Sequence, residues 1–260
     1  MKNFKIKITL IQENIINLKK LSVILPCFNE SRNLPYVLEK FGKVINRDDI
    51  ELIVVDNGSE DNTLKILEEL IPKYSFAKLE KVKINKGYGY GIKSGLKVAQ
   101  GKYLSWTHAD MQTDPNDVIK AFNLIENCSS RDKLFIKGKR KGRPWSDEFF
   151  TIGMSFFESI LLLTPLWDVN AQPNIFSREL FDNFKYAPDD FSFDLFYYYL
   201  AVKNNYKIIR FEVSFRKRYY GQSSWNINWL SKIKFIAKTV KFTFKLFLKI
   251  NFSNKLNYKI

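Results

Sequence analysis

Sulfur and histidine are scarce in this chain. Two cysteines, Cys27 and Cys128, occur in 260 residues, and neither has a metal-ligand spacing. That excludes a disulfide framework and suits a reducing compartment. His108 is the only histidine. A lone histidine is more often structural than a ligand, so it counts only where its neighbours suit it. The first twenty residues, MKNFKIKITLIQENIINLKK, lack the long apolar core and small-residue cleavage site of a signal peptide, and a cytoplasmic protein is expected. Between Trp225 and Ile260 no acidic residue occurs. Neither an internal repeat nor a low-complexity linker interrupts the chain. The simplest parse is an N-terminal extension over 1–20, one domain over 21–225 and a basic appendage over 226–260.

What is present describes a folded enzyme-sized domain. Hydrophobic residues make up 45% and charged residues 27%, as in globular proteins rather than disordered ones. Lys and Arg number 42 against 27 Asp and Glu, a formal net charge of +15. A surplus of this size points to a polyanion: acidic lipid, nucleic acid or a phosphorylated substrate. Much of it sits in the lysine-rich last segment, and nothing resembling a zinc finger or basic zipper accompanies it. A nucleic-acid partner is therefore not expected.

The first half alternates short apolar runs with helical patterns. Strands are expected at Leu21–Leu25, Leu52–Val55, Lys81–Ile84 and Tyr103–Trp106, and helices at Asn33–Val44, Glu60–Leu70 and Gly91–Ala99. Strands this short between helices imply an α/β fold with a mostly parallel, Rossmann-like sheet covered on both faces. Ligands of such sheets sit at the carboxyl ends of the strands. There the chain places Pro26-Cys27-Phe28-Asn29-Glu30, then Asp56-Asn57-Gly58-Ser59, then Lys86-Gly87-Tyr88-Gly89-Tyr90-Gly91, then Thr107-His108-Ala109-Asp110-Met111-Gln112. Carboxylates, amides and glycines gathered on one edge form a polar site. Further on, Ile152–Trp167 carries one charge, Glu158, and reads as a buried or interfacial helix too short to span a membrane with ease. Helices over Phe193–Val202 and Trp229–Ile250 flank a strand at Lys207–Val213.

Asp56 fits two readings. It can accept hydrogen bonds from a ribose or base edge, or it can simply close a turn that caps the next helix. The glycines at 87, 89 and 91 either let backbone approach a phosphate at a helix N-terminus or serve tight turning; they match neither a P-loop nor G-x-G-x-x-G. In an extended segment His108, Asp110 and Gln112 face one way, and an imidazole, a carboxylate and an amide there suit a divalent cation that also holds a diphosphate.

Five ordered stretches carry a resemblance: Leu25–Glu30, Val54–Thr63, Asn85–Gly89, His108–Pro115 and Arg218–Ser224. Together they resemble the motifs of family 2 glycosyltransferases, and most of all the dolichol- or polyprenyl-phosphate mannosyl- and glucosyltransferase branch, over about residues 21–225. The resemblance implies a GT-A fold, a nucleotide-diphospho-sugar donor, a divalent cation (manganese or magnesium) and inversion at the anomeric carbon. By position, Pro26, Phe28, Asn29, Glu30, Asp56 and Asn57 would line the nucleoside pocket, with Lys86 and Gly87 beside it. His108, Ala109, Asp110 and Gln112 would hold diphosphate and metal. His108 stands where the family's usual Asp-Ala-Asp has its first acid, and Asn57 where a second Asp is common. Arg140, in Gly138-Lys139-Arg140, and Arg216 and Arg218 match basic motifs that would meet donor or acceptor phosphate. The family's further Arg in the next helix is missing.

A phosphate-monoester acceptor is already a nucleophile at neutral pH and needs no strong general base. A sugar-hydroxyl acceptor would need one, and Asp147 is the first candidate, with Asp168 behind it. In the last segment Lys234, Lys238, Lys241, Lys245 and Lys249 form one stripe of a helix, with Ile233, Ile236, Val240, Phe244 and Phe247 along another. That pattern reads either as a basic helix lying in an anionic membrane interface at the inner face of the membrane or as a helix packed on the core with its lysines extended to water. The expected function is hexosyl transfer to a lipid-linked acceptor. The competing expectations are transfer to a glycan hydroxyl and a nucleotide-binding scaffold without catalysis.

Overall fold

The computed structural model describes residues 19–129, 133–181, 187–216, 218, 220 and 229–252. A seven-stranded sheet runs through them in the order β3-β2-β1-β4-β6-β5-β7. Its strands are β1 (Leu21–Cys27), β2 (Ile50–Asn57), β3 (Ala77–Val82), β4 (Tyr103–Trp106), β5 (Leu134–Lys141), β6 (Asn174–Ser177) and β7 (Lys207–Ser214). The first four are parallel neighbours, β5 and β7 are parallel, and β6 runs antiparallel between β4 and β5.

Continuous apolar runs form the middle of the sheet because both of their faces are covered. Side chains alternate faithfully. Ile24, Ile53, Val55, Leu104 and Trp106 face one layer, with α3 (Tyr88–Val98), α6 (Ser192–Lys203) and α7 (Trp229–Phe252). Leu21, Val23, Leu25, Leu52 and Val54 face the other, with α1 (Leu34–Val44), α2 (Thr63–Leu70) and α4 (Pro115–Glu126). The remaining helix, α5 (Trp145–Leu161), contributes no side chain to either buried cluster.

Five elements differ from expectation. The third strand lies at Ala77–Val82, ahead of the Lys81–Ile84 run. It is an edge strand whose half-exposed residues alternate with charges, so no apolar run marks it. Helix α3 begins at Tyr88, so Gly89 and Gly91 are helical residues rather than loop. Helix α4 and strands β5 and β6 were not expected at all. Asp114 caps α4 by accepting from Asn116 N–H at 2.9 Å, with Pro115 at the first helical position. Strand β5 hides behind its charges, because Lys137 lies fully buried within it. Gly138 follows, where an added Cβ would fall 2.1 Å from the Gln172 carbonyl oxygen.

The expected domain boundary at 225/226 lies outside the described residues. Beyond it, α7 packs against α5 and α6 and buries Thr239, Thr243 and Leu246. Its four described stripe lysines, 234, 238, 241 and 245, point to solvent.

Candidate active site at the carboxyl edge of the sheet

The loops after β1 and β2 brace each other. Asn29 adopts a left-handed backbone (φ 56°), which turns its side chain to accept Glu60 N–H at 2.8 Å. The Ser59 hydroxyl accepts from Asn29 N–H at 3.1 Å, and Thr63 from Glu30 N–H at 2.9 Å. Asp56 is buried and accepts from Ser59 N–H at 3.2 Å, the turn-closing role. Asn57 donates to the Gly87 carbonyl at 2.9 Å and so ties the β2 edge to the start of α3. Among the nucleoside-pocket candidates, Pro26 is half-buried and Phe28 is exposed at the rim.

The centre is an acid pair bridged by an arginine from the far end of the chain. Met111 takes a left-handed backbone (φ 63°), which folds the segment so that Asp110 accepts Gln112 N–H at 3.1 Å. Arg218 then lies 2.8 Å from the other oxygen of Asp110 and 3.7 Å from Glu30. It also donates to Gln112 Oε1 at 3.3 Å, while Gln112 Nε2 donates to the Arg216 carbonyl at 3.0 Å. Burial pushes the Glu30 carboxyl up to about 7; Asn33, donating at 2.5 Å, opposes the rise, while the nearby Asp110 adds to it. Two acids and one guanidinium thus meet at the ends of the strands. Of the Arg218–Ser224 motif, only Arg218 and Tyr220 are among the described residues.

Behind the acid pair lies a buried polar network. Tyr88 stacks on His108, with ring centroids 6.3 Å apart, and on Phe191 at 4.8 Å. Gln172 donates to the Tyr88 hydroxyl and to Asp194, both at 3.0 Å. Asp194 also accepts from Trp106 Nε1 at 2.8 Å and Asn174 at 3.0 Å. Burial still raises its carboxyl above the ordinary range. Burial likewise holds the His108 imidazole below its ordinary value, against the pull of Asp110 and Asp194, so it is neutral at pH 7.

The third group surrounds β5. Arg140 grips Asp168 through its guanidinium and its backbone N–H, and Arg210 adds a contact at 3.7 Å. Asp168, the second base candidate, is therefore committed to ion pairing. Burial pushes its carboxyl up, but Arg140 outweighs that and leaves it below the ordinary range. Asp147 occupies the first turn of α5, where its carbonyl accepts from Arg143 at 3.2 Å. Arg143 also donates to Thr151 at 2.8 Å, while its buried Nε has no partner. Its neighbour Arg140 lines a cleft between α5 and α7 with Ser155, Glu158, Phe235 and Thr239.

A model of glycosyl transferase family 2 matches residues 22–185, more than half of the chain. The chain belongs to glycosyltransferase family 2. Among its relatives, the dolichyl-phosphate beta-glucosyltransferase of Dictyostelium discoideum is 29% identical over 220 residues, 75% of this chain and 65% of the relative. The human protein of the same description is 33% identical over 62% of this chain and 56% of its own length. The dolichol-phosphate mannosyltransferase of Pyrococcus furiosus is 32% identical over 42% of this chain and 31% of its own. The chain thus spans less than two thirds of the length of these relatives. Among solved structures, glucosyl-3-phosphoglycerate synthase from Mycobacterium tuberculosis, in complex with Mn2+, uridine-diphosphate and glucosyl-3-phosphoglycerate, has a TM-score of 0.65 at 17% identity. The match covers 88% of this chain and 80% of that one. The sheet is the GT-A sheet.

On this glycosyltransferase the residues divide. Glu30, Asp110, Gln112, Arg216 and Arg218 converge, with His108 and Ala109 on the same segment. Arg140 and Asp147 belong to the β5–α5 corner. The three glycines answer to packing: added Cβ atoms would fall 2.3 Å from the Asp189 carbonyl oxygen at Gly87, 2.4 Å from that of Pro188 at Gly89 and 2.9 Å from the Asn57 side chain at Gly91. Lys86 lies over the Tyr90 ring at 4.9 Å. For a cation, neutral His108 and the Asp110 carboxylate are chemically suitable donors, with diphosphate oxygens left to complete the shell. Gln112 has both ends of its amide engaged by the arginine segment. Among the described residues no three His, Cys, Asp or Glu side chains gather as a metal site. Sequence reading missed Tyr88, Gln172 and Asp194, since buried polar partners carry no periodic signal; the polar residues on otherwise apolar α6 and β6 were the only hint.

Proposed function

We propose that this glycosyltransferase moves a hexose from a nucleotide-diphospho-sugar to polyprenyl phosphate, with inversion, at the cytoplasmic membrane surface. The observation that carries the reading is the Arg218 bridge between Asp110 and Glu30, which pairs acids at the strand ends with a cation able to turn toward a diphosphate. The lipid-phosphate relatives support the acceptor class.

The chemistry asks for positioning and charge. An acceptor phosphate oxygen attacks the anomeric carbon as the bond to the donor's diphosphate oxygen breaks, and the nucleoside diphosphate leaves as an anion. Phe28 at the rim offers a ring face to the base, and Asp56 and Glu30 border the ribose. A divalent cation held by His108 and Asp110 would supply neutralisation of the leaving diphosphate. Arg218 and Arg216 would stabilise the same charge. Arg140, which matches the family's basic motif, is held by Asp168, and its neighbour Arg143, whose buried Nε has no partner, would meet the acceptor phosphate. In α7 the exposed lysines face the anionic membrane.

The test is transfer of label from uridine- and guanosine-diphosphate sugars into a butanol-extractable polyprenyl-phosphate product, with manganese, magnesium or chelator. Label in the lipid phase that chelator abolishes is the expected result. Donor hydrolysis without lipid label would overturn the lipid acceptor, move the acceptor to a glycan hydroxyl and make Asp147 the base to test. Donor binding without turnover would leave a nucleotide-binding scaffold.

A further inference from the structure

Helix α5 is inside out. Trp145, Phe149, Ile152, Phe156 and Ile160 recur at intervals of four, three, four and four residues and so share one face. That face points to solvent: Trp145 is 81% exposed, Phe149 72% and Phe156 67%. Beyond the helix Leu163, 76% exposed, and Trp167 continue the stripe. The residues that α5 fully buries are polar, Ser155 and Glu158. A helix on a water-facing surface has the reverse pattern, and a contiguous apolar stripe of this length marks a surface that meets another apolar phase.

We infer that α5 lies in the headgroup boundary of an anionic bilayer, with this stripe inserted among the acyl chains and the lysines of α7 on the phosphates. Three observations select a bilayer. Tryptophans mark both ends of the stripe, the residue type that favours the membrane–water interface. Helix α7 packs against α5 and presents its own exposed Leu230, Ile233, Phe244 and Leu248 beside Lys234, Lys238, Lys241 and Lys245. No described helix is long and apolar enough to cross a membrane, so the pair lies along the surface. A symmetric second copy on this face would bring like-charged lysine rows together. Because α5 starts just past Arg140 and Arg143, docking brings the β5–α5 corner to the headgroup level. The inference shares the membrane location proposed above but does not depend on the acceptor.

The experiment is sedimentation of the full chain with vesicles of equal parts phosphatidylcholine and phosphatidylglycerol. The variants are Phe149→Ser/Phe156→Ser and Lys238→Ser/Lys241→Ser. Loss of two exposed phenyl groups is expected to lower partitioning at least tenfold, roughly, at any salt concentration. Loss of two lysines lowers it only at low salt. The thermal midpoint and donor binding of the phenylalanine variant stay at wild-type values, because those rings touch water. Wild-type protein that stays in the supernatant, or a phenylalanine variant that partitions as wild type, overturns the inference. So does a wild-type dimer that this variant dissolves without vesicles present. Transfer to polyprenyl phosphate in detergent separates the two proposals: failure there alone rejects the acceptor, and failure on vesicles alone rejects the docking face.

Discussion

Arg218 reaches Glu30 and Asp110 from the end of the domain, and its nearest sequence partner in the cluster, Gln112, is 106 residues away. Replacing it with Met is expected to lower the transfer rate by about 10²–10³-fold, the usual loss when one stabilising donor to a developing anion is removed. The thermal midpoint should barely change, since the guanidinium is partly exposed. Asp110→Asn tests the partner acid: transfer should fall comparably, and a cation should no longer raise the thermal midpoint. A residue away from the chemistry offers a pH test. Burial pushes the Glu158 carboxyl up to about 8, so the folded chain holds that proton more tightly than the unfolded chain does. Its contribution is therefore fully present below about 4.5 and is lost as pH rises toward 8. Buried Lys137, pushed down to about 7, acts in the opposite direction above pH 7, where the unfolded chain binds the extra proton. Between pH 5 and 7, Glu158→Gln should flatten the decline in stability, by up to about 1.4 kcal/mol per pH unit, in denaturant titrations. Asp110 is legible in the sequence because it follows a buried strand by a few residues. Its bridge to Arg218 is not, because nothing local encodes a contact across a hundred residues.

At the scale of elements, β1, β2 and β4 were read from apolar runs buried on both faces, and β7, although an edge strand, from the run Lys207–Val213. Where a strand sits at the edge, like β3, or carries a buried lysine, like β5, the apolar signal fades and the strand is misplaced or missed. Helix α5 left two readings open, buried or interfacial, and the fold leaves its apolar face outside; it also starts at Trp145, ahead of the expected Ile152. Gly138 shows how tightly β5 and the Gln172 loop approach. Gly138→Ala would put a methyl group into the Gln172 carbonyl, and about 2–4 kcal/mol of destabilisation is expected, read as a lowered thermal midpoint. Gly153, on the same helix as the exposed stripe, has open space around an added Cβ. Its replacement by Ala should be neutral or slightly stabilising, since alanine favours a helix by about 1 kcal/mol over glycine.

At the scale of the whole molecule, the basic C-terminal segment is joined to the catalytic domain by packing. Leu246 lies in the same buried cluster as Trp106 and Phe193, and Phe235 meets Phe191 edge to face at 5.8 Å. A chain ending at Asn228 should therefore lose at least about 3 kcal/mol of stability, because two or more large apolar side chains leave the core. An unchanged midpoint would mean that the segment folds apart from the domain. The family model stops at residue 185, short of β7 and of Arg218.

The late place of β7 and Arg218 in the chain bears on the order in which the protein is made. A ribosome releases Glu30 and Asp110 long before Arg218, so until residue 218 is made these acids lack the guanidinium that bridges them. Strand β7, last in sequence and outermost in the sheet, carries that bridge in behind it. Closing the sheet and bridging the acid pair are then a single event, and a nascent chain has its guanidinium ready for a diphosphate only once β7 has been made.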